Sequence, residues 1–115
     1  MKRLILSTLA MAAASGVAPA YAHDYPTIDR VEYVQDCMRN NPGPRQEMLY
    51  KCSCALDAIA GIMSYDEFVE ASTAANAMSI GGERGGVIRD AKMGQDLAAK
   101  FRAAQTKAKK GCFIN

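Results

Sequence analysis

The segment Lys51–Met63, KCSCALDAIAGIM, decides how the rest of the chain is read. At about 100° per residue, Leu49, Cys52, Leu56, Ile59 and Met63 fall on one stripe, which predicts a helix over residues 44–62 with that stripe in the core. Cys54 is turned from Cys52 by about 200° on the same wheel and shares the opposite face with Tyr50, Ala58 and Gly61. Two cysteines on opposite sides of one rod cannot bond each other without deforming the backbone, because their Cβ vectors point apart. Each is expected to staple the helix to a different neighbour.

The neighbours follow from the flanking sequence. Ile28, Val31, Val34 and Met38 recur at helical spacing and predict a helix over 27–39, with Thr27 as N-cap. Asn40-Asn41-Pro42-Gly43-Pro44 stops it, and so short a connection favours an antiparallel hairpin whose second helix begins at Pro44. Downstream, Ser64 and Glu67 form a capping box, with Met63 and Phe68 as the staple around it. They predict a third helix over 65–78, with Phe68 and Val69 as its bulkier packing residues and Ala71, Ser72, Ala74 and Ala75 making it thin. The glycines of Gly81-Gly82-Glu83-Arg84-Gly85-Gly86 predict a break. A last helix over 91–110, capped by Asp90, carries Met93, Leu97, Phe101, Ala104 and Ala108 on one face. Gly94 weakens it by about 1 kcal/mol relative to alanine. Lys107, Lys109 and Lys110 suit its negative end, and Gly111 suits the residue beyond. The fold class expected is all-α: a small disulfide-stapled bundle of about four helices.

Residues 1–22 read as a cleaved signal peptide: Lys2 and Arg3 lead an apolar run from Leu4 to Val17, and Ala20-Tyr21-Ala22 is a small-x-small cleavage site. Residues 23–115 then form one helical domain, of a size at which a hydrophobic core alone is marginal. All four cysteines, Cys37, Cys52, Cys54 and Cys112, lie in this exported part, where an oxidising compartment favours two disulfides. The leader's composition suits a periplasmic protein, with secretion as the other destination. No segment after the leader is apolar enough to span a bilayer, so no stable membrane insertion is expected. Three pairings are open. Heights in the hairpin favour Cys37–Cys52 with Cys54–Cys112; Cys37–Cys54 with Cys52–Cys112 is the alternative.

The fourteen basic residues fall to twelve once Lys2 and Arg3 leave, against twelve acidic residues, so the exported chain is formally neutral. Its charge is segregated. Residues 91–115 hold Lys92, Lys100, Arg102, Lys107, Lys109 and Lys110 against Asp96, and residues 23–90 carry the compensating acid. This balance disfavours nucleic acid and fits a basic helix that meets the acidic remainder, an acidic protein or an anionic surface.

Candidate chemistry is sparse. Diverging thiols and a single histidine, His23, argue against a metal site. Thiol–disulfide exchange would need an unpaired Cys54 of lowered pKa. There is no Cys-x-x-Cys-His for haem, and no cofactor is expected. Ser53, Ser64 and Ser72 lack a histidine base, so no catalytic residues are assigned and no enzyme is expected. The methionines suit gap-filling better than copper handling. The best interaction candidates are Gly82, Glu83, Arg84, Gly85, Gly86 and Arg89, where glycine N–H groups and Arg84 could grip an anion; a solvated turn is the plainer reading. The segment lacks the Lys-Ser/Thr ending of a phosphate loop.

Asp36-Cys37-Met38, Lys51-Cys52-Ser53-Cys54, Gly82-Glu83-Arg84-Gly85-Gly86 and Cys112-Phe113 together resemble a family of small exported bacterial four-cysteine helical proteins of unassigned activity. The resemblance covers most of the exported chain and implies an association with periplasmic quinoprotein alcohol-oxidation systems. The function expected is a non-enzymatic periplasmic accessory or protein-binding module, with a protein partner such as an oxidoreductase or its cytochrome. The alternatives are a thiol–disulfide redox protein and a periplasmic chaperone.

Overall fold

The computed structural model describes residues 25–115; the signal peptide expected over 1–22 and its expected cleavage site lie outside the described residues. Five helices follow one another: α1 (Thr27–Asn40), α2 (Arg45–Ala60), α3 (Tyr65–Ala77), α4 (Gly82–Asp90) and α5 (Lys92–Gly111). The described residues contain helices and turns and no strand. α2 lies between α1 and α5, α5 also packs along α3, and short α4 sits against α3 and α5.

Local sequence sets most boundaries. Pro26, not Thr27, is the N-cap of α1, and its carbonyl accepts the first helical bond from the Arg30 N–H at 3.1 Å. Pro44 likewise caps α2 from just outside it, accepting from the Met48 N–H at 2.9 Å. A proline there costs nothing, since its missing N–H would have no intrahelical partner. Between them, the Asn41 side-chain amide donates to the Cys37 carbonyl at 2.7 Å, closing the end of α1. The capping box forms as expected: the Glu67 N–H donates to Ser64 Oγ at 3.3 Å, and the Ser64 N–H to Glu67 Oε2 at 3.0 Å. Met63 and Phe68, the staple pair, are both buried.

The glycine segment is where the structure departs from expectation. Residues 82–90 form a helix, so the bundle has five helices among the described residues rather than about four. Asp90 ends α4, and Ala91 is the N-cap of α5 with no side-chain cap bond. Gly82 supplies the positive φ of 80° that turns the chain into α4. Gly85 is required by proximity, because a Cβ there would collide with the Ile80 carbonyl. At the far end, Gly111 is the last helical residue and Phe113 takes the left-handed conformation at φ 59°. The buried neighbours Cys112 and Ile114 hold that turn, the latter through its N–H to the Lys109 carbonyl at 3.0 Å.

Both disulfides are present: Cys37–Cys52 joins α1 to α2, and Cys54–Cys112 joins α2 to the end of α5. This is the pairing that the hairpin heights favour. Cys52, Leu56 and Ile59 are the largest fully buried side chains, and Ala55 and Ala71 are closed off beside them. α3 presents Ala71, Ala74 and Ala77 to the interior, facing the Ala98, Phe101, Ala104 and Ala108 side of α5. Small residues on both helices let their axes approach closely. Phe68 anchors an aromatic cluster with Tyr25, Tyr33 and Phe101 at centroid distances of 4.9, 6.2 and 5.7 Å. Tyr25 had no assigned place in the sequence pattern, yet it is buried and its hydroxyl donates to the Met63 carbonyl at 3.1 Å.

Several positions assigned to core stripes lie outside. Ile28 is 62% exposed, Val31 45%, Leu49 41%, Val69 40% and Met93 76%. On α1 the inward face is Tyr33 and Cys37 flanked by Val34 and Met38, so of its predicted apolar stripe Val34 and Met38 pack against the core while Ile28 and Val31 stay outside.

Candidate interaction surface

All four cysteines are paired. Among the described residues no thiol is free, and no group of three His, Cys, Asp or Glu side chains gathers as a metal site would require. Cys54 is the one exposed member of the two bridges; Cys37, Cys52 and Cys112 are buried.

Gly82, Glu83, Arg84, Gly85, Gly86 and Arg89 do not form an open anion-binding loop. They lie on the helix α4 instead of on a turn between helices. Arg89 is engaged by its own chain, donating to the Ile80 and Gly82 carbonyls, while Gln95 Nε2 donates to the Arg89 carbonyl at 2.5 Å. Glu83 and Arg84 project into solvent and have no ion-pair partner among the described residues.

The charge segregation has a definite shape. Part of the basic set is neutralised internally: Lys100 pairs with Glu67 and Lys92 with Asp96, both at 2.8 Å. Arg102, Lys107, Lys109 and Lys110 have no ion-pair partner among the described residues, and all stand on the last half of α5. At 100° per residue, Lys100, Ala103, Lys107 and Lys110 occupy one side of that helix. This side borders a shallow apolar strip between α2 and α5, made of two hollows of about 330 and 250 Å³ that share Ile62 and Lys107. Cys54, Ala58 and Ile62 line it from α2. Ile62 is 54% exposed, an apolar knob beside the unpaired Lys107.

A second feature lies across α2. The groove along the outer side of the α1–α2 hairpin encloses about 640 Å³ and is lined by Val31, Val34, Met38, Leu49 and Leu56 among others. A third cleft, of about 250 Å³ between α1, α3 and α5, has an acidic rim of Asp29, Glu32 and Asp36, with Lys109 at its edge. At its base the Tyr33 hydroxyl makes no well-formed hydrogen bond among the described residues; burial pushes this phenol up, and the Gln105 amide beside it pulls the other way.

Glu67 links the cap to the basic helix. The Lys100 ammonium and then the Ser64 N–H hold its carboxyl down at about 2. A depressed carboxylate favours the folded state above its unfolded pKa near 4.5, and that contribution disappears as pH falls through about 2. The melting temperature is therefore expected to drop from pH 4.5 toward pH 2, and Glu67→Gln should flatten that part of the profile. An unchanged profile in Glu67→Gln would remove Glu67 as the cause. On the alkaline side, burial and the Glu67 charge raise Tyr25 to about 12, so its contribution is complete below pH 10 and lost as pH rises through about 12.

Comparison with known protein families, with characterised proteins and with solved structures finds no match. The function has to be argued from these surfaces.

The groove and the strip escaped the sequence reading for one reason: periodicity marks a face as apolar without saying whether another element covers it. For the groove, Val31 and Leu49 carry the signal, and their periodicity alone places them in the core. For the strip, the signal was the Tyr50, Cys54, Ala58 face of α2 beside a run of unpaired lysines.

Proposed function

We propose that this protein is a non-enzymatic protein-binding module of the periplasm, which receives an acidic partner with an apolar anchor on the strip between α2 and α5. One observation carries the reading: the unpaired cation Lys107 stands beside exposed Ile62, with unpaired Lys110 about one turn further along α5, on a framework locked by the Cys54–Cys112 bridge. Unpaired cations steer an acidic surface to the site, and an apolar knob beside them gives the encounter a desolvated centre. The rigidity of a stapled helix pair lowers the ordering cost of binding. Resemblance to the four-cysteine helical family directs the search toward an oxidoreductase or its cytochrome.

The test is affinity capture from periplasmic extract at low and high salt. Capture of an acidic protein by the native chain should weaken steeply with added salt. Lys107→Glu/Lys110→Glu and Ile62→Asp should each abolish it, whereas Arg84→Ala on α4 should leave it intact. Capture that survives both strip variants would refute the proposal, and loss with Arg84→Ala alone would move the site to α4.

Thiol–disulfide exchange is a second reading with one observation behind it, the exposure of Cys54 at the surface end of its bridge. A reduction potential above about −200 mV for that bridge would favour it over the binding module.

A further inference from the structure

We propose that the open face of the α1–α2 hairpin is a self-association surface on which a second copy of this chain docks antiparallel, hairpin on hairpin. Val31 and Leu49 are each more than two-fifths exposed, and with Val34, Met38 and the buried Leu56 beneath them they make the apolar floor of a groove of about 640 Å³ whose remaining lining, Arg30, Gln35, Arg45, Gln46 and Asp57 among it, is polar. Two paired helices with an uncovered apolar stripe are half of a four-helix bundle, and a second hairpin is the element that completes one.

The charges along the groove select both the occupant and its direction. One end carries Arg30 and Asp57, bonded at 3.2 Å, and the other carries Arg45, which has no ion-pair partner among the described residues. A two-fold axis perpendicular to the hairpin reverses the ends, so each Arg45 lies over the Asp57 of the other copy. Asp57 has room for it, since its side chain is 56% exposed despite the bond to Arg30. A parallel arrangement would gather both Arg45 at one end of the interface with neither over an Asp57, and is disfavoured. Elsewhere in the groove the Ser53 hydroxyl is already satisfied, donating to the Leu49 carbonyl at 2.8 Å. Such a match between the two ends of one surface is what an isologous interface requires.

The size of the face sets the strength. Helices of 14 and 16 residues side by side offer a rectangle of about 21 by 20 Å, about 420 Å² a side, which is below the standard specific interface and in the range of weak, transient ones. A dimer with a dissociation constant in the micromolar range is the consequence. It leaves the α2–α5 strip of each copy uncovered, so the proposal stands apart from the binding function above.

Sedimentation equilibrium of the oxidised, exported protein from about 1 to 500 µM tests it. The mass should rise from monomer toward dimer across that range. Leu49→Glu, at an exposed position, should stay monomeric throughout with unchanged helicity and melting temperature. In Arg45→Lys, zero-length carbodiimide coupling should join the new lysine to Asp57 of another copy. One copy cannot make that link, because the two positions are twelve residues apart on one straight helix, about 18 Å. A native protein monomeric at every concentration, a dimer indifferent to Leu49→Glu, or a dimer lacking that cross-link would each overturn the proposal.

Discussion

Removing the Cys54–Cys112 bridge with Cys54→Ala/Cys112→Ala is expected to destabilise the protein by about 4 kcal/mol, against about 3 kcal/mol for the loop closed by Cys37–Cys52. The difference comes from loop length. The first bridge spans 58 residues and the second 15, and the entropy withheld from the unfolded chain grows with the logarithm of the span. Two further consequences separate the variants. Opening the long loop lets the unfolded chain expand, so the denaturant dependence of unfolding should steepen more than when the short loop is opened. Truncating Cys52 also empties a fully buried site, which adds a cavity cost to the shorter bridge's variant. Urea titration followed by circular dichroism reads both quantities. If the slope rises equally in the two variants, chain entropy is not the main contribution of the long bridge. Full reduction should leave too little stability to keep so small a domain folded, since the two contributions together match the lower range for whole domains.

Phe68→Ala is expected to cost about 4 kcal/mol and to lower the melting temperature by about 20 °C. The ring is 8% exposed, meets Tyr25, Tyr33 and Phe101, and is one half of the staple at the start of α3. No neighbour can collapse into the space, because its surroundings are themselves rigid aromatic rings and a disulfide-held helix. Val69→Ala provides the contrast: that side chain is 40% exposed, and its truncation should cost under about 1 kcal/mol. Thermal unfolding of the pair decides the matter. Equal losses would mean that α3 packs with a different face inward.

The residues that were legible in sequence are those whose partners lie within one or two turns. Ser64 and Glu67 satisfy each other three residues apart, so their helix start needed no knowledge of the fold. Cys52 and Cys54 had to face opposite ways on any helix, and the hairpin turn then limited which cysteine could reach Cys37. The glycine segment misled because propensity is a weak prior: glycines at 82, 85 and 86 argue for a break, but Arg89 closes α4 back onto Ile80 and Gly82, and close approach to the Ile80 carbonyl requires a glycine at 85. Tyr25 was illegible for a similar reason, since its value lies in reaching Met63, 38 residues away.

Composition, periodicity and cysteine placement by themselves determined an all-α chain stapled from both sides of α2, because each of those properties follows from geometry within a single helix. Only the tertiary structure decided which apolar faces are covered. Ile28 and Val31 on α1, Leu49 on α2, and the strip beside Lys107 remain open because no further helix among the described residues packs against them, and that is a property of the arrangement of elements rather than of any one of them.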